Sequence, residues 1–318
     1  MSLRSILLTS CSVLLCASAF AAIPGNAQKA PVPEPVPFKP RAIDLDFCPG
    51  GIALDGDTLY IAVVGQEPKT GEKDEDGGVA KLNLADENAK PEMITEKGLY
   101  NSPTGICVQG DYLCLSDVDN VYIINKKNAD LDGGISVSLD LPMKQLDGIT
   151  SLGDGRVIVA SRDLNKIYIG DIRSKTFAEI VTKEPLHAPS GVFWDKENKI
   201  LYVVEDATET VNKKEKPSGR ILAVDITYGT VTEMEGMAGK KLRGEYGAVA
   251  SDGKMLYFSD NSKEGFPESL QRLDLKIRRT TNVAPLAMKG ISHFLIHGNQ
   301  LIVPAMKDKK IYIFYIKK

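Results

Sequence analysis

Long apolar segments, cysteine and tryptophan are scarce in this sequence, and neither sign of charge dominates it. Past residue 22 no run approaches the roughly 18 apolar residues that a spanning helix needs, so we predict no membrane span. The 39 basic and 42 acidic residues are interspersed and leave a formal charge of −3. Because no basic patch results, we expect no nucleic-acid partner.

Common catalytic motifs are also missing. The sequence has no G-x-S-x-G nucleophile elbow, no phosphate-binding P-loop and no H-E-x-x-H zinc motif. Two D-x-D-G segments, Asp74–Gly77 and Asp130–Gly133, lack the further ligands and the closing glutamate of a calcium loop. The motifs therefore predict no cofactor.

Cysteine is too sparse for a disulfide-stapled scaffold, since five occur and two of these lie in the first 22 residues. Cys107 and Cys114 flank the turn sequence Gln109-Gly110-Asp111. With Gly110 and Asp111 as the central residues of a hairpin turn, the two cysteines face each other across the strands. A cross-strand disulfide and a pair of small buried thiols both fit this spacing.

Residues 1–22 have the pattern of a secretory signal peptide. One positive charge precedes the mostly apolar run Ser5–Phe20, and Ala19–Ala21 supplies an A-x-A cleavage signal. A lipobox ending at Cys11 is the alternative, but it leaves an apolar core shorter than usual. We expect cleavage after Ala21 or Ala22 and a periplasmic or secreted protein.

Two further regions follow the signal peptide. Residues 23–41 contain a proline every few positions, which predicts an extended spacer because proline fixes φ and removes a hydrogen-bond donor. Residues 42–318 remain for one folded domain, a length that single all-β domains commonly have.

A sequence unit occurs six times along this domain. Each copy has a small or polar start, a β run, a tight turn and a second β run. The copies begin at Gly51, Gly105, Gly148, Gly191, Gly247 and His293, at spacings of 54, 43, 43, 56 and 46 residues. Repeats of this length are typical of β-propellers. We predict an all-β, six-bladed β-propeller with four-stranded blades.

Closure of the ring requires a strand from the other end of the domain. The sixth unit has a third strand, at about residues 310–316, and no fourth strand after it. The segment 42–47 (AIDLDF) alternates apolar and polar residues, as residues 135–141 (ISVSLDL) do. We expect 42–47 to pair with the last blade, since an open ring would expose unpaired edges.

Three blades carry polar insertions between their second and third strands. These insertions are 65–77, 206–218 and a shorter one around 261–268. We expect all three to surround the same mouth of the central channel, where loops on a rigid scaffold commonly bind ligands. Solvated loops without a ligand are the alternative.

The repeats resemble those of the gluconolactonase and regucalcin-like superfamily of six-bladed propellers, and more loosely those of NHL-type propellers. The resemblance is carried best by PSGVFWDKENKILYVVED (189–206) and YGAVASDGKMLYFSD (246–260), and it covers the whole domain. It implies that a divalent metal lies in the channel, held by a blade 1 glutamate and by Asn or Asp side chains that precede later glycines. In these enzymes the metal polarises a lactone carbonyl.

This sequence departs from the metal site of that superfamily. The glutamate position falls at or near Cys48, and the positions in blades 4 and 5 hold Ser190 and Tyr246. Asp147 is retained, but a metal site needs several converging oxygen ligands. We therefore predict no metal, with Ca²⁺ as the alternative.

Six side chains at or beside equivalent blade positions are predicted to share the channel mouth: Thr104, Asp147, Ser190, Glu245, Tyr246 and His293. This mixture suits hydrogen bonding to a polar small molecule or a peptide, and a water-filled plug is the alternative. We interpret the chain as an exported, monomeric and non-catalytic binding propeller. The alternative function is a gluconolactonase-like lactone or ester hydrolase with a rearranged site, for which the sequence assigns no catalytic residue.

Overall fold

The computed structural model describes residues 40–67, 74–96, 98–127, 135–137, 143–211, 214–260, 269–283 and 288–316. The predicted signal peptide and most of the predicted spacer lie outside these ranges. Within them the chain forms 26 strands and one short 3₁₀ turn, Met237–Gly239. None of the helical structure in these ranges is long and apolar enough to cross a membrane.

Six four-stranded antiparallel sheets form the blades of a β-propeller, which confirms the predicted fold. The first strand in the chain, β1 (Arg41–Asp44), belongs to the last blade. Blade 1 contains β2 (Cys48–Asp55), β3 (Thr58–Gly65), β4 (Gly78–Asn83) and β5 (Glu92–Met93). Blade 2 contains β6 (Pro103–Gln109), β7 (Tyr112–Asp117), β8 (Asn120–Asn125) and β9 (Ile135–Val137). Blade 3 contains β10 (Leu146–Ser151), β11 (Arg156–Ser161), β12 (Lys166–Asp171) and β13 (Thr176–Glu179).

Blade 4 contains β14 (Pro189–Asp195), β15 (Ile200–Glu205), β18 (Ile221–Asp225) and β19 (Thr230–Glu233). A separate two-stranded sheet, β16 (Thr208–Val211) and β17 (Lys214–Pro217), is inserted in it. Blade 5 contains β20 (Val249–Ser251), β21 (Met255–Asp260), β22 (Ser269–Asp274) and β23 (Thr280–Asn282). Blade 6 contains β24 (Leu295–His297), β25 (Gln300–Ala305) and β26 (Lys310–Tyr315), with β1 as its outer strand.

Strand β1 closes the ring as the sequence predicted. It runs antiparallel to β26, with Ile43 opposite Ile311 and Ala42 opposite Tyr312. The pairing covers Arg41–Asp44 rather than 42–47, because the chain turns towards blade 1 after Asp44. The last blade thereby gains a fourth strand, and the edge of β26 is covered.

Apolar side chains fill the spaces between neighbouring blades. Tyr60 and Ala62 of β3, for example, belong to one buried cluster with Leu113 and Leu115 of β7. Because each blade packs between two others, both faces of its second strand are buried, as in β11, where five consecutive residues are buried. A fully buried aliphatic side chain contributes roughly 1.5–3 kcal/mol, so these shared clusters supply most of the stabilisation of the ring.

The glycine that begins the repeats allows the first strands to approach each other near the channel. A Cβ atom added to Gly105 would lie 2.7 Å from the carbonyl oxygen of Asp147 in the next blade. One added to Gly148 would lie 2.7 Å from the carbonyl oxygen of Ser190. Any side chain at these two positions would therefore force adjacent blades apart.

The insertion in blade 4 is a β-hairpin, where the sequence predicted a loop. Strands β16 and β17 pair in register, with Glu209 opposite Lys216. The opposite charges of Glu209 and Lys216 at facing positions favour this pairing. In the sequence, the high charge of the segment was taken as the mark of a loop. The central parts of the other two insertions, 68–73 and 261–268, lie outside the described residues.

Candidate functional site

One face of the propeller, called the mouth below, collects the starts of the six first strands. Because each blade is an antiparallel meander, the turns between second and third strands lie on this same face. The hairpin β16–β17 connects β15 to β18 and therefore also lies at the mouth. The shared-mouth prediction thus holds for the described part of the insertions.

Asp147 and His293 meet at the mouth. Asp147 lies in β10 of blade 3 and His293 precedes β24 of blade 6, and these blades face each other across a ring of six. The Nε2 atom of His293 lies 2.9 Å from Oδ1 of Asp147. Their side chains are 17% and 23% exposed, so the pair is shielded but reachable. Because the two residues come from opposite blades, their contact spans the channel.

Local backbone structure holds Asp147 in place. The preceding Gln145 has a φ of +48°, which turns the chain into β10. The hydroxyl of Ser116 in blade 2 donates a hydrogen bond to the carbonyl oxygen of Asp147. Gly148 leaves room for the imidazole, since a Cβ atom there would lie 3.0 Å from Cε1 of His293. The backbone contacts of Asp147 and the absence of a side chain at Gly148 thus fix the position of the Asp147 carboxylate.

A second ion pair lies beside the first. Nη2 of Arg162, in the turn after β11, is 2.5 Å from Oδ2 of Asp206, which follows β15. Burial raises the pKa of the Asp206 carboxyl, Arg162 opposes that shift, and the nearby Asp147 carboxylate raises the pKa further. Two carboxylates, a guanidinium and an imidazole therefore share the mouth, and we call Asp147, Arg162, Asp206 and His293 the channel cluster.

The predicted hydroxyl residues serve a different purpose. Thr104 Oγ1 donates to the carbonyl oxygen of Leu146 at 3.2 Å. Ser190 Oγ donates to the carbonyl oxygen of Tyr246 at 2.9 Å. Both side chains are buried and link one blade to the backbone of the next. They stabilise the ring around the channel and do not line the cluster.

Tyr246 also lies away from the channel. It is 2% exposed and its ring packs edge-on against Phe258, with centroids 5.5 Å apart. Burial raises the pKa of the Tyr246 phenol, so the group stays neutral at physiological pH. Glu245 is half-buried at the mouth. Of the six predicted residues, the structure joins Asp147 and His293 directly.

The residues present do not fit the metal that the resemblance implies. Cys48 takes the place expected for a glutamate, and its thiol is buried and donates to the carbonyl oxygen of Gln66 at 3.4 Å. Asp147 is engaged by His293. Among the described residues no group of three or more His, Cys, Asp or Glu side chains could hold a metal ion.

Cys107 and Cys114 are direct cross-strand partners, as the turn sequence predicted. Both are buried free thiols in this structure. A hydrogen bond to Cys114 and burial raise the pKa of the Cys107 thiol well above its usual value. A disulfide between Cys107 and Cys114 stays a prediction.

We expect neither thiol to react with iodoacetamide in the folded, reduced protein at pH 8, because the thiolate is the nucleophile and burial blocks access. Mass spectrometry should show alkylation of both after unfolding in guanidinium chloride. Rapid alkylation of Cys107 in the folded protein would contradict the buried arrangement. If alkylation of Cys107 and Cys114 in the unfolded protein required a reductant, the two would form a disulfide.

Two members of the channel cluster were missed by the sequence analysis. Arg162 and Asp206 lie beyond the ends of second strands, outside the glycine-anchored positions from which the candidates were drawn. Position 206 was noted only as the start of an insertion. A search of the residues that follow every second strand would have found both.

No family model matches the chain, and no curated protein is significantly similar to it. Solved structures do match. An auxiliary nutrient binding protein from Bacteroides thetaiotaomicron gives a TM-score of 0.61 at 11% identity, over 86% of this chain and 70% of that one. Virginiamycin B lyase from Staphylococcus aureus gives 0.56 at 17% identity, over 88% and 100%. A nidogen/laminin complex gives 0.57 at 17% identity, over 76% and 81%. At these identities the likeness shows the fold alone.

Proposed function

We propose that this protein binds a small polar molecule at the mouth of its channel, with the Asp147–His293 pair as the floor of the site. That 2.9 Å contact across the ring carries the proposal. We favour a small molecule over an inserted protein segment because the pair bridges opposite blades of the channel. The signal-peptide pattern of residues 1–22 supports an exported protein, and we propose that the binding takes place outside the cytoplasm.

The channel cluster supplies complementary polar groups. Carboxylate oxygens accept hydrogen bonds from ligand hydroxyl or amino groups, and the Arg162 guanidinium donates to ligand oxygens. Partial burial strengthens each of these interactions relative to open water. A sugar, sugar acid or amino acid has the required mixture of donors and acceptors.

Replacing His293 with glutamine tests the proposal. A panel of sugars, sugar acids and amino acids is first screened by thermal shift, since a ligand that binds the native state raises the melting temperature. For any compound found, we expect His293→Gln to weaken binding about tenfold or more, which corresponds to about 1.4 kcal/mol. Titration calorimetry gives the dissociation constants.

The matched control is His297→Gln, at an exposed position of the same blade on the opposite face. It should bind like the parent protein. Equal affinity in both variants, or a screen in which no compound binds, would contradict the proposal.

A second candidate function is acid–base catalysis on the bound molecule. The carboxylate of Asp147 orients the imidazole of His293, an arrangement that prepares histidine to accept or donate a proton. The raised pKa of Asp206 would suit it to act as the acid. The folds similar to this one include a lyase as well as a binding protein. Product formation from lactones, esters or the identified ligand, followed by mass spectrometry and lost in His293→Gln, separates this function from binding alone.

A further inference from the structure

A second cavity lies between blades 2 and 3, on the face opposite the mouth. Three turns border it, those that join β6 to β7, β10 to β11 and β12 to β13, because the turns after first and third strands lie on that face. Its volume of about 830 Å³ is within the range of small-molecule sites. We call it the interblade cavity. Its lining includes none of the channel cluster, and the side chains used below are Asp111, Tyr112, Ile123, Ile172, Arg173 and Lys175.

One part of the interblade cavity is apolar. Ile123 of β8 and Ile172, which follows β12, belong to one buried hydrophobic cluster and also line the cavity. Tyr112, the first residue of β7, lines it as well and is 40% exposed. In the part of the chain that the structure describes, the Tyr112 hydroxyl has no hydrogen-bond partner. An exposed aromatic side chain thus lies beside two isoleucines.

Exposed polar side chains line the rest of the cavity. Asp111 comes from blade 2, and Arg173 and Lys175 come from blade 3. Within the described ranges no hydrogen bond or ion pair engages any of these three side chains. Asp154 also lines the cavity, but its carboxylate is bound by the guanidinium of Arg156. One carboxylate acceptor and two cationic donors therefore remain for a ligand.

The backbone of the β12–β13 turn holds Arg173 in place. Oδ1 of Asp171 accepts hydrogen bonds from the N–H groups of Arg173, at 2.8 Å, and Ser174, at 3.1 Å. These bonds, that from Ser174 first, lower the pKa of the Asp171 carboxyl, and the nearby charge of Arg173 lowers it further. A Cβ atom added to Gly155 would lie 3.5 Å from Nε of Arg173, so the guanidinium rests beside the β10–β11 turn. The charge of Arg173 is thus balanced near its own turn while its N–H donors stay available.

Positive and negative charges balance around the interblade cavity. The Asp154 carboxylate is neutralised by its ion pair, and Asp171 lies near Arg173. Lys175 and Asp111 remain as one charge of each sign. Because the described lining has no surplus of either sign, it favours a ligand without net charge.

We propose that the interblade cavity binds a neutral sugar, with Tyr112 as the surface on which the sugar ring packs. Asp111 then accepts hydrogen bonds from sugar hydroxyl groups, and Arg173 and Lys175 donate to them. A sugar ring has an apolar C–H face and a rim of hydroxyl groups, so it matches an aromatic and aliphatic surface that is bordered by free donors and an acceptor. The proposal does not require the channel cluster to bind anything.

The test measures sugar binding to the full chain by titration calorimetry. The probes are glucose, galactose and mannose, each compared with its uronate, its 2-amino derivative and its open-chain alditol. We expect at least one neutral sugar to bind. Its charged derivatives lack a matching surplus charge and its alditol lacks the ring face, so each should bind about tenfold or more weakly. Equal binding of the alditol, or tighter binding of a charged derivative, would overturn the proposal.

Variants of the lining locate the site. Tyr112→Ser should weaken binding of the neutral sugar about tenfold or more, whereas Tyr112→Phe keeps the ring and should retain most of the affinity. Arg173→Gln, at an exposed turn position, should also weaken binding about tenfold and tests the site independently should Tyr112→Ser fold poorly.

The matched controls are Tyr228→Ser and Lys276→Gln, which should bind like the parent. Tyr228 is an exposed tyrosine that does not line the cavity. Lys276 holds in blade 5 the turn position that Arg173 holds in blade 3, with its N–H bonded to Oδ1 of Asp274 at 2.8 Å. A loss of binding in either control equal to that in the lining variants would contradict the assignment of the site.

The two binding proposals fail separately. A sugar weakened by Tyr112→Ser and Arg173→Gln but unchanged in His293→Gln supports the interblade cavity, whatever the channel does. A sugar weakened only by His293→Gln binds in the channel and overturns the interblade-cavity proposal. Absence of binding by all three neutral sugars at millimolar concentration overturns it as well.

Discussion

Replacing Arg220 with leucine is expected to lower the free energy of unfolding by about 3–5 kcal/mol, because it leaves a buried carboxylate without its cation. Glu205 is 1% exposed and the side chain of Arg220 only 14%, so solvent cannot replace the lost hydrogen bonds. Urea denaturation followed by circular dichroism measures the change. Of the ion pairs described, this one is the most deeply buried.

Two further variants locate the cause of that loss. Arg156→Leu removes an arginine from an ion pair whose side chains are about half exposed, and such pairs contribute at most about 1 kcal/mol. The double variant Glu205→Gln/Arg220→Leu removes the buried charge and keeps an acceptor for the His187 N–H, so it should be more stable than Arg220→Leu. A double variant no more stable than Arg220→Leu would mean that lost packing, and not the unpaired charge, causes the effect.

The buried pair joins the scaffold to the proposed binding surface. Glu205 ends β15, at the point where the chain leaves the blade for the hairpin. By binding both Arg220 and the backbone of His187, it holds the residue before β18 against the segment that precedes β14. The next residue, Asp206, belongs to the channel cluster. One strand end thus joins the buried ion pair to the channel cluster.

The fold could be predicted because each feature of the repeat has a physical role in a propeller blade. A glycine at each early anchor, two β runs and a tight turn recur, and the structure shows that Gly105 and Gly148 are needed where first strands converge. The closing strand was also predictable, since an unpaired last blade demands a partner and segment 42–47 has the alternation to supply one. The exact end of this strand could not be predicted, because its pairing with β26 stops where the chain turns into blade 1.

The candidate site was harder to predict, because equivalent positions in a repeat need not point in equivalent directions. Thr104 and Ser190 are short enough to bond the neighbouring backbone, and they do so. Tyr246 enters the core because β20 begins only at Val249, so the preceding residues follow an irregular path. The contact of Asp147 with His293 depends on ring geometry that spans 146 positions in sequence. No local spacing encodes it.

Ile43→Pro is expected to have the other large effect, because it removes a hydrogen bond from the strand that closes the ring. The N–H of Leu45 bonds the carbonyl oxygen of Lys309. Since hydrogen-bonded pairs alternate along antiparallel strands, the N–H of Ile43 points at β26 and that of Ala42 points away. Proline at 43 therefore loses a ladder bond and also the contacts of Ile43 with the cluster around Ile311 and Ile313.

We expect Ile43→Pro to lower the free energy of unfolding by about 3 kcal/mol, from the lost bond and the lost apolar burial together. Ala42→Pro is the matched control. This variant places proline one residue earlier, at an exposed position whose N–H points away from β26. It should lower the free energy of unfolding by less than about 1 kcal/mol. Ile43→Ala keeps the N–H and measures the burial alone. If Ala42→Pro proved as costly as Ile43→Pro, the register of β1 on β26 would be wrong. If neither proline changed stability, the ring would not depend on this strand for closure, and the geometry that brings Asp147 to His293 would need another cause.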